Sequence, residues 1–421
     1  MTPSPALSLV TFVTTNIRWL FVGFLLTFLS SFGQTFFIAM FGAEIRGTFG
    51  LSNGDFGLLY MIGTLASAIT LIWAGQLADV MRVRTLGALT VVGLAVACVA
   101  MSLAVGWFSL LLAIYLLRLT GQGMMSHVAM TAMGRWFDAY RGRAIAICVF
   151  GYPIGEALFP ALAVLLITGV GWQVSWGMVA AGLLVAGLPL FLLALRQRRV
   201  AGSSGVATEP PPVDAPGMIH WHRREVLRHP LYWMLVPCVL TPAFTVTGLF
   251  FHQTHLVETK GWSLAFWAAT YPLYAVFSVA ASVASGWAVD RFSGRATLPA
   301  VCIPLGAGLL VLAIGNAPTV AFIAMALIGL SAGSTNTIFG SLWPELYGTR
   351  HLGGIKALAT AAMVFSSALG PGIMGVLLDW GVSIERQCFV IAVYCFAVAA
   401  MAFALRDRMR ATQPALNAGN N

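Results

Sequence analysis

The chain has 421 residues, 59% of them hydrophobic and only 9% charged, with a formal net charge of +9. A water-soluble domain carries about 45–50% apolar and about 25% charged residues, so an ordinary water-exposed surface is excluded. Nucleic acid is excluded as the partner of the positive charge: the arginines sit in short loops between apolar runs, where they set topology and attract anionic membrane lipid.

Residues 1–17 show no positive segment followed by a short apolar core and a cleavage site, so no cleaved signal peptide is expected. Twelve apolar runs can be drawn, at approximately 19–41, 56–79, 85–105, 109–133, 143–167, 174–195, 231–254, 265–288, 296–315, 319–342, 354–378 and 386–405. Each is close to the roughly 17–25 residues that cross a bilayer as a helix. None alternates apolar and polar residues as barrel strands do. The expected fold is an all-α membrane protein, with twelve transmembrane helices in two pseudo-symmetric six-helix bundles. Residues 1–195 make the first bundle and residues 230–421 the second. Residues 196–229 run from Arg196 through Gly, Ser and Pro to Arg223, Arg224 and Arg228, the composition of a flexible cytoplasmic linker.

The second run closes on Gly75-Gln76-Leu77-Ala78-Asp79-Val80-Met81-Arg82-Val83-Arg84, and the eighth on Gly286-Trp287-Ala288-Val289-Asp290-Arg291-Phe292-Ser293-Gly294-Arg295. In both, Asp follows Gly by four residues and Arg follows Asp by five. From Gly75 to Gly286 is 211 residues, half the chain, which marks a duplicated half. With the N-terminus placed inside, nineteen Lys and Arg residues fall in cytoplasmic positions and three (Arg46, Lys260 and Arg386) outside. Both termini are then cytoplasmic, and the inner membrane of a bacterium is the expected location.

With these features the chain resembles the major facilitator superfamily of secondary transporters along essentially its whole length. Gly75, Leu77, Asp79 and Arg84 match that family's signature loop between helices 2 and 3. Gly286, Asp290, Arg291 and Arg295 match its echo between helices 8 and 9. Arg118-Leu119-Thr120-Gly121-Gln122-Gly123 is similar to the family's arginine-and-glycine motif in helix 4. Arg135-Trp136-Phe137, Arg141-Gly142-Arg143-Ala144, and Gly151 with Gly155 look like the bacterial monocarboxylate and oxalate/formate branch. The resemblance implies a cytoplasmic gate at Gly75, Asp79, Arg84, Gly286, Asp290, Arg291 and Arg295. In it the Asp79 carboxylate sits at the positive start of helix 11, here Gly353 and Gly354. It also implies that helices 5 and 11, broken or crowded by Pro153, Pro160 and Pro371, lie between two halves that rock.

Arg118 is the only basic residue expected inside a span, about 14 Å from the start of helix 4. Glu156 is the only acidic residue expected well inside one, about 20 Å into helix 5. A lone charge at that depth costs several kcal/mol, so such residues pair or face water. Two readings stay open: a static Arg118–Glu156 pair, or a site for proton coupling or substrate charge. The 211-residue offset maps the two onto Gly329 and Ser367, both uncharged. The family's central cavity implies a polar lining for a small ligand from Gln34, Gln122, His252, Gln253 and Asn336. His252 and His255 share a helix face but lack further ligands, so no metal is expected, and no cofactor.

A membrane-embedded enzyme would need a nucleophile–base or metal constellation, and none of GxSxG, HExxH or a phosphate-cradling loop is present. The expected function is secondary active transport of a small organic solute, a carboxylate or other organic anion, by alternating access. Coupling is to protons or by exchange, and the working unit is a monomer. The alternatives are export of hydrophobic or drug-like compounds, or a non-transporting membrane sensor.

Overall fold

A computed structural model describes residues 9–137, 140–196 and 219–412, the side chains of Leu9 and Asp79 excepted. Twelve helices are long and apolar enough to cross a membrane. They are α1 (Val10–Met40), α2 (Asn53–Ala74), α3 (Val83–Ser102), α4 (Trp107–Trp136), α5 (Arg141–Val170), α6 (Trp172–Ala194), α7 (Pro230–Phe251), α8 (Leu264–Phe292), α9 (Gly294–Ile314), α10 (Pro318–Tyr347), α11 (Leu352–Asp379) and α12 (Ile384–Ala404). No strand occurs among the described residues. A helix satisfies its own backbone polar groups, which lipid cannot do. Several helices outrun the apolar stretches drawn above: α1 begins at Val10 and α10 continues to Tyr347.

The chain divides into two compact units, one of Met1–Gly50 with Ile62–Pro212 and one of Leu51–Met61 with Val213–Asn421. The helix α2 thus contributes residues to both. Residues 197–218 of the expected linker lie outside the described residues. The remainder of it is built: Arg223–Arg228 forms a helix, and Trp221 N donates to Tyr347 O at 3.0 Å. Burial holds the His229 imidazole below its ordinary pKa there.

Between lipid-facing helices there is little hydrophobic force, so close packing of small residues takes over. In the second unit Gly329 and Gly333 of α10 lie against the backbone of Tyr274 and Ser278 of α8. A Cβ at Gly333 would lie 1.9 Å from Ser278 O. Gly370 of α11 meets α7 in the same way, 2.4 Å from Phe244 O. Residues 51–61 join this unit through glycine as well, a Cβ at Gly57 falling 2.3 Å from Pro371 O. Asp379 caps that segment, accepting from Ser52 Oγ at 2.7 Å and Gly54 N at 2.9 Å. In the first unit Gly151 and Gly155 of α5 abut α1, with added Cβ atoms 2.5 Å from Phe24 O and 2.1 Å from Ser31 Oγ.

Substituting Gly333→Ala should therefore cost about 1–3 kcal/mol by overpacking and lower the melting temperature of the detergent-solubilised protein. On the same helix, a Cβ at Gly340 would meet nothing within 4 Å, so Gly340→Ala should melt with the parent. Equal melting temperatures for both variants would contradict the α8–α10 contact.

Candidate functional site

The first unit is organised around a break in α1. The helix tightens to a 3-10 turn at Ser30–Gly33, Gln34 is extended (φ −84°, ψ 153°), and a helix resumes at Thr35–Met40. Facing the break, α4 loosens to a π-helical stretch, Arg118–Met125. Gly33 and Gly121 let the two irregular segments touch: a Cβ on Gly33 would lie 2.3 Å from Leu117 O and 2.7 Å from the Gly121 Cα. Arg118 opens the π stretch and is 2% exposed. Its Nη1 donates to Gly33 O at 3.2 Å and to Thr35 Oγ1 at 3.4 Å. A guanidinium thus meets the backbone that the break exposes.

Glu156 approaches the same region from α5, one residue beyond the Gly155 that abuts Ser31. It is half-buried. Among the described residues no hydrogen bond or ion pair involves it, so the static Arg118–Glu156 pair is not formed in this structure. Gln34 at the break and Gln122 in the π stretch are half-buried, and their side chains have no protein partner among the described residues.

The other sequence-expected cavity residues lie in the second unit. Gln253 is fully buried, and its Oε1 accepts from Trp267 Nε1 at 2.9 Å and Tyr271 Oη at 2.7 Å. His252 is buried too, its Nε2 2.9 Å from Pro371 O on α11. Asn336 differs from both: it is exposed and lines a cavity of about 210 Å³ bounded by α7, α10 and α11. No group of three or more His, Cys, Asp and Glu that could hold a metal occurs among the described residues.

The two loops of the repeated motif are each secured from the last turns of a helix in their own unit. After α2, the Gly75 carbonyl is 3.0 Å from His127 Nε2, and Arg135 Nη1 donates to Ala78 O; both partners stand on α4. Arg84 is exposed, and the Asp79 side chain lies outside the described residues. After α8, Glu345 of α10 accepts from Gly294 N at 2.6 Å and Arg295 N at 3.3 Å. It also pairs with Arg295 Nε at 3.5 Å. Asp290 is exposed, and the exposed Arg291 lies over the Trp287 and Phe292 rings, 5.9 and 5.7 Å from their centroids. Gly286 has no atom near a would-be Cβ. The 211-residue offset maps Glu345 to the residue next to Arg135. His127, Arg135 and Glu345 were absent from the expected gate. A motif displays its own loop but not the helix that grips it.

Gly353 and Gly354, the expected receptor of the Asp79 carboxylate, line a basic cavity of about 390 Å³ with His222, Arg223, Arg350 and His351. The His222 and His351 rings stack at 3.9 Å. Lost hydration, then the neighbouring His222, Arg350 and His220, hold the His351 imidazole below its ordinary pKa.

The model of the Major Facilitator Superfamily matches residues 23–371 and again 271–420. The oxalate:formate antiporter of Oxalobacter formigenes is 26% identical over 272 residues, 62% of this chain and 62% of that one. Monocarboxylate transporter 11 of Mus musculus is 29% identical over 313 residues, 70% of this chain and 65% of that one. The chain therefore matches a little under two thirds of the length of each of these curated relatives. Among solved structures, a bacterial homologue of the human lysosomal transporter Spinster, inward-facing and unoccupied, aligns with a TM-score of 0.71. It shares 18% identity and covers 94% of this chain and 98% of its own. A variant of the nucleoside transporter NupG aligns with a TM-score of 0.68 at 12% identity, covering 92% of this chain and 99% of its own. At these identities the structures show the fold.

Replacing Glu345 with Ala removes the acceptor of two backbone amides and the partner of Arg295. Hydrogen bonds to a charged group contribute about 1.5–3 kcal/mol, so amide exchange at Gly294 and Arg295 should accelerate at least about tenfold. Exchange around Gly75–Ala78 should not change. Unaltered exchange at Gly294 and Arg295 would refute the anchoring role.

Proposed function

The chain belongs to the Major Facilitator Superfamily and is an integral membrane transporter rather than an enzyme; from that premise, we propose that it is a secondary active transporter of small organic anions, carboxylates in particular. The observation that carries this reading is the buried Arg118 guanidinium at the meeting of a broken α1 and a π-helical α4. Broken helices line the substrate sites of many secondary transporters, and π-helical insertions recur at functional sites. A guanidinium matches a carboxylate in charge and in the spacing of its donors. Gln34 and Gln122 supply uncommitted amides beside it. The names of the curated relatives, an oxalate:formate antiporter and a monocarboxylate transporter, agree with an anionic cargo.

Transport proceeds by alternating access. Glu156 serves as the coupling group, because a carboxylate without a protein partner inside a span exchanges its proton according to which face admits water. Coupling is to protons, with exchange as the mode that remains when Glu156 cannot titrate. The protein works as a monomer in a bacterial inner membrane, with both termini and the signature loop of α2 on the cytoplasmic side. His252 and Gln253, already engaged with Pro371, Trp267 and Tyr271, brace the α7 end rather than touch cargo.

The test is uptake of labelled small monocarboxylates into proteoliposomes. Glu156→Gln should abolish accumulation driven by a pH gradient while leaving counterflow exchange within about threefold of the parent, a change of under 1 kcal/mol in barrier. Equal gradient-driven accumulation by variant and parent would remove Glu156 from the mechanism.

A further inference from the structure

The cavity bounded by α7, α10 and α11 lies within the second unit. It is lined on α10 by Asn336, Phe339, Gly340 and Trp343 and on α11 by Lys356, Ala359, Thr360 and Met363. Both sets follow the spacing i, i+3, i+4, i+7, so one continuous face of each helix looks into the same space. The two helices run in opposite directions across a short connection. Trp343 lies four residues before the end of α10 and Lys356 four residues after the start of α11, which puts both at the end of the cavity next to the α10–α11 connection. Thr360 and then Asn336 lie one and two turns farther from that connection.

Three polar side chains lining this cavity are unengaged. The Lys356 ammonium, the Asn336 amide and the Thr360 hydroxyl have no hydrogen bond or ion pair among the described residues. Uncommitted polar groups inside a span are costly unless a cavity supplies partners. The other lysine of the chain shows the usual solution: Lys260 is buried and bonded to Gly315 O, Asn316 Oδ1 and Glu385. The α10 face also carries apolar surface, with Phe339 and Trp343 stacked 6.3 Å apart. No carboxylate lines the cavity. At about 210 Å³, it is below the roughly 300–1,000 Å³ of drug-sized sites.

We infer that this cavity is a binding site for a small organic monocarboxylate with an apolar or aromatic body, its carboxylate seated on Lys356 and its body against Phe339 and Trp343. The inference rests on the organic-anion reading above and assigns that reading a site in the second unit. One ammonium and no acid match a single negative charge. A dicarboxylate would press its second charge against the aromatic wall, where desolvation opposes it. Gly340 faces the open space, since a Cβ there would meet nothing within 4 Å, so a larger side chain at this position starts into the cavity.

The presence of only two lysines makes a local test available. The purified full chain is acylated with an amine-reactive ester, with and without sodium benzoate, and both lysines are followed by mass spectrometry. At benzoate ten times its dissociation constant, acylation of Lys356 should slow about tenfold, following 1 + [L]/Kd. Lys260 is the internal control and should not change. Benzamide and oxalate at the same concentration should protect Lys356 several-fold less. Gly340→Leu should abolish the protection by benzoate while melting with the parent. Lys356 acylated at one rate with and without benzoate, while proteoliposomes still take up labelled monocarboxylate, would overturn the site and leave the transport reading standing. Protection of Lys356 without any uptake would uphold the site and count against the transport reading.

Discussion

A span offers no water to a backbone carbonyl, and that constraint governs the first unit. The α1 helix is interrupted at Ser30–Gln34, where a continuous helix would have met every carbonyl from within. Leaving such a group buried and unmet costs about 1–3 kcal/mol. Arg118 meets Gly33 O and Thr35 Oγ1, and it reaches them because Gly33 and Gly121 bring α1 and α4 to backbone contact. The dependence is mutual. The break gives the guanidinium acceptors at a depth where an unmet charge is expensive, and the guanidinium makes the break tolerable. A side chain at either glycine would separate the pair.

The same logic explains why the two repeated loops are gripped by opposite chemistry. A helix ends with carbonyls that lack donors and begins with amides that lack acceptors. After α2 the groups gripped are the carbonyls of Gly75, which also accepts from Ala78 N at 3.1 Å, and Ala78, and the partners are the donor-bearing His127 and Arg135. Before α9 they are the amides of Gly294 and Arg295, and the partner is the carboxylate of Glu345. Arg135 and Glu345 also have the sign that the helix dipole favours at the ends they grip. The halves repeat in sequence at Gly75 and Gly286, yet one loop is tied by its leading helix end and the other by its trailing one. The acidic residue of the second motif is not the tie: Asp290 is exposed.

Much of the architecture was legible because lipid imposes simple rules. Twelve apolar runs, the glycine–aspartate–arginine echo and one arginine in the middle of a run sufficed for the twelve helices and for the family. What escaped depended on boundaries and tertiary approach. The tenth run was drawn to 342, so Glu345 fell outside it, whereas the helix continues through Pro344 to Tyr347. Lys356 read as one more topology charge, because its place on the cavity face appears only when α10 and α11 lie together. Gln253 read as free to bind cargo, since no local pattern reveals that Trp267 and Tyr271 fold back onto its carbonyl oxygen. The π stretch at Arg118 leaves no compositional trace beyond Gly121 and Gly123.

The central claim is that the charge of Arg118, and not only its hydrogen bonds to the broken helix, is what the cargo requires. The most direct measurement is counterflow of a labelled monocarboxylate that the parent protein exchanges, made on reconstituted Arg118→Gln protein of verified melting temperature. Glutamine keeps a donor near Gly33 without the charge. The account predicts a folded protein whose counterflow falls at least about a hundredfold, the loss of a charged contact of about 2.7 kcal/mol in the barrier. Counterflow at the parental rate by folded Arg118→Gln protein would contradict it.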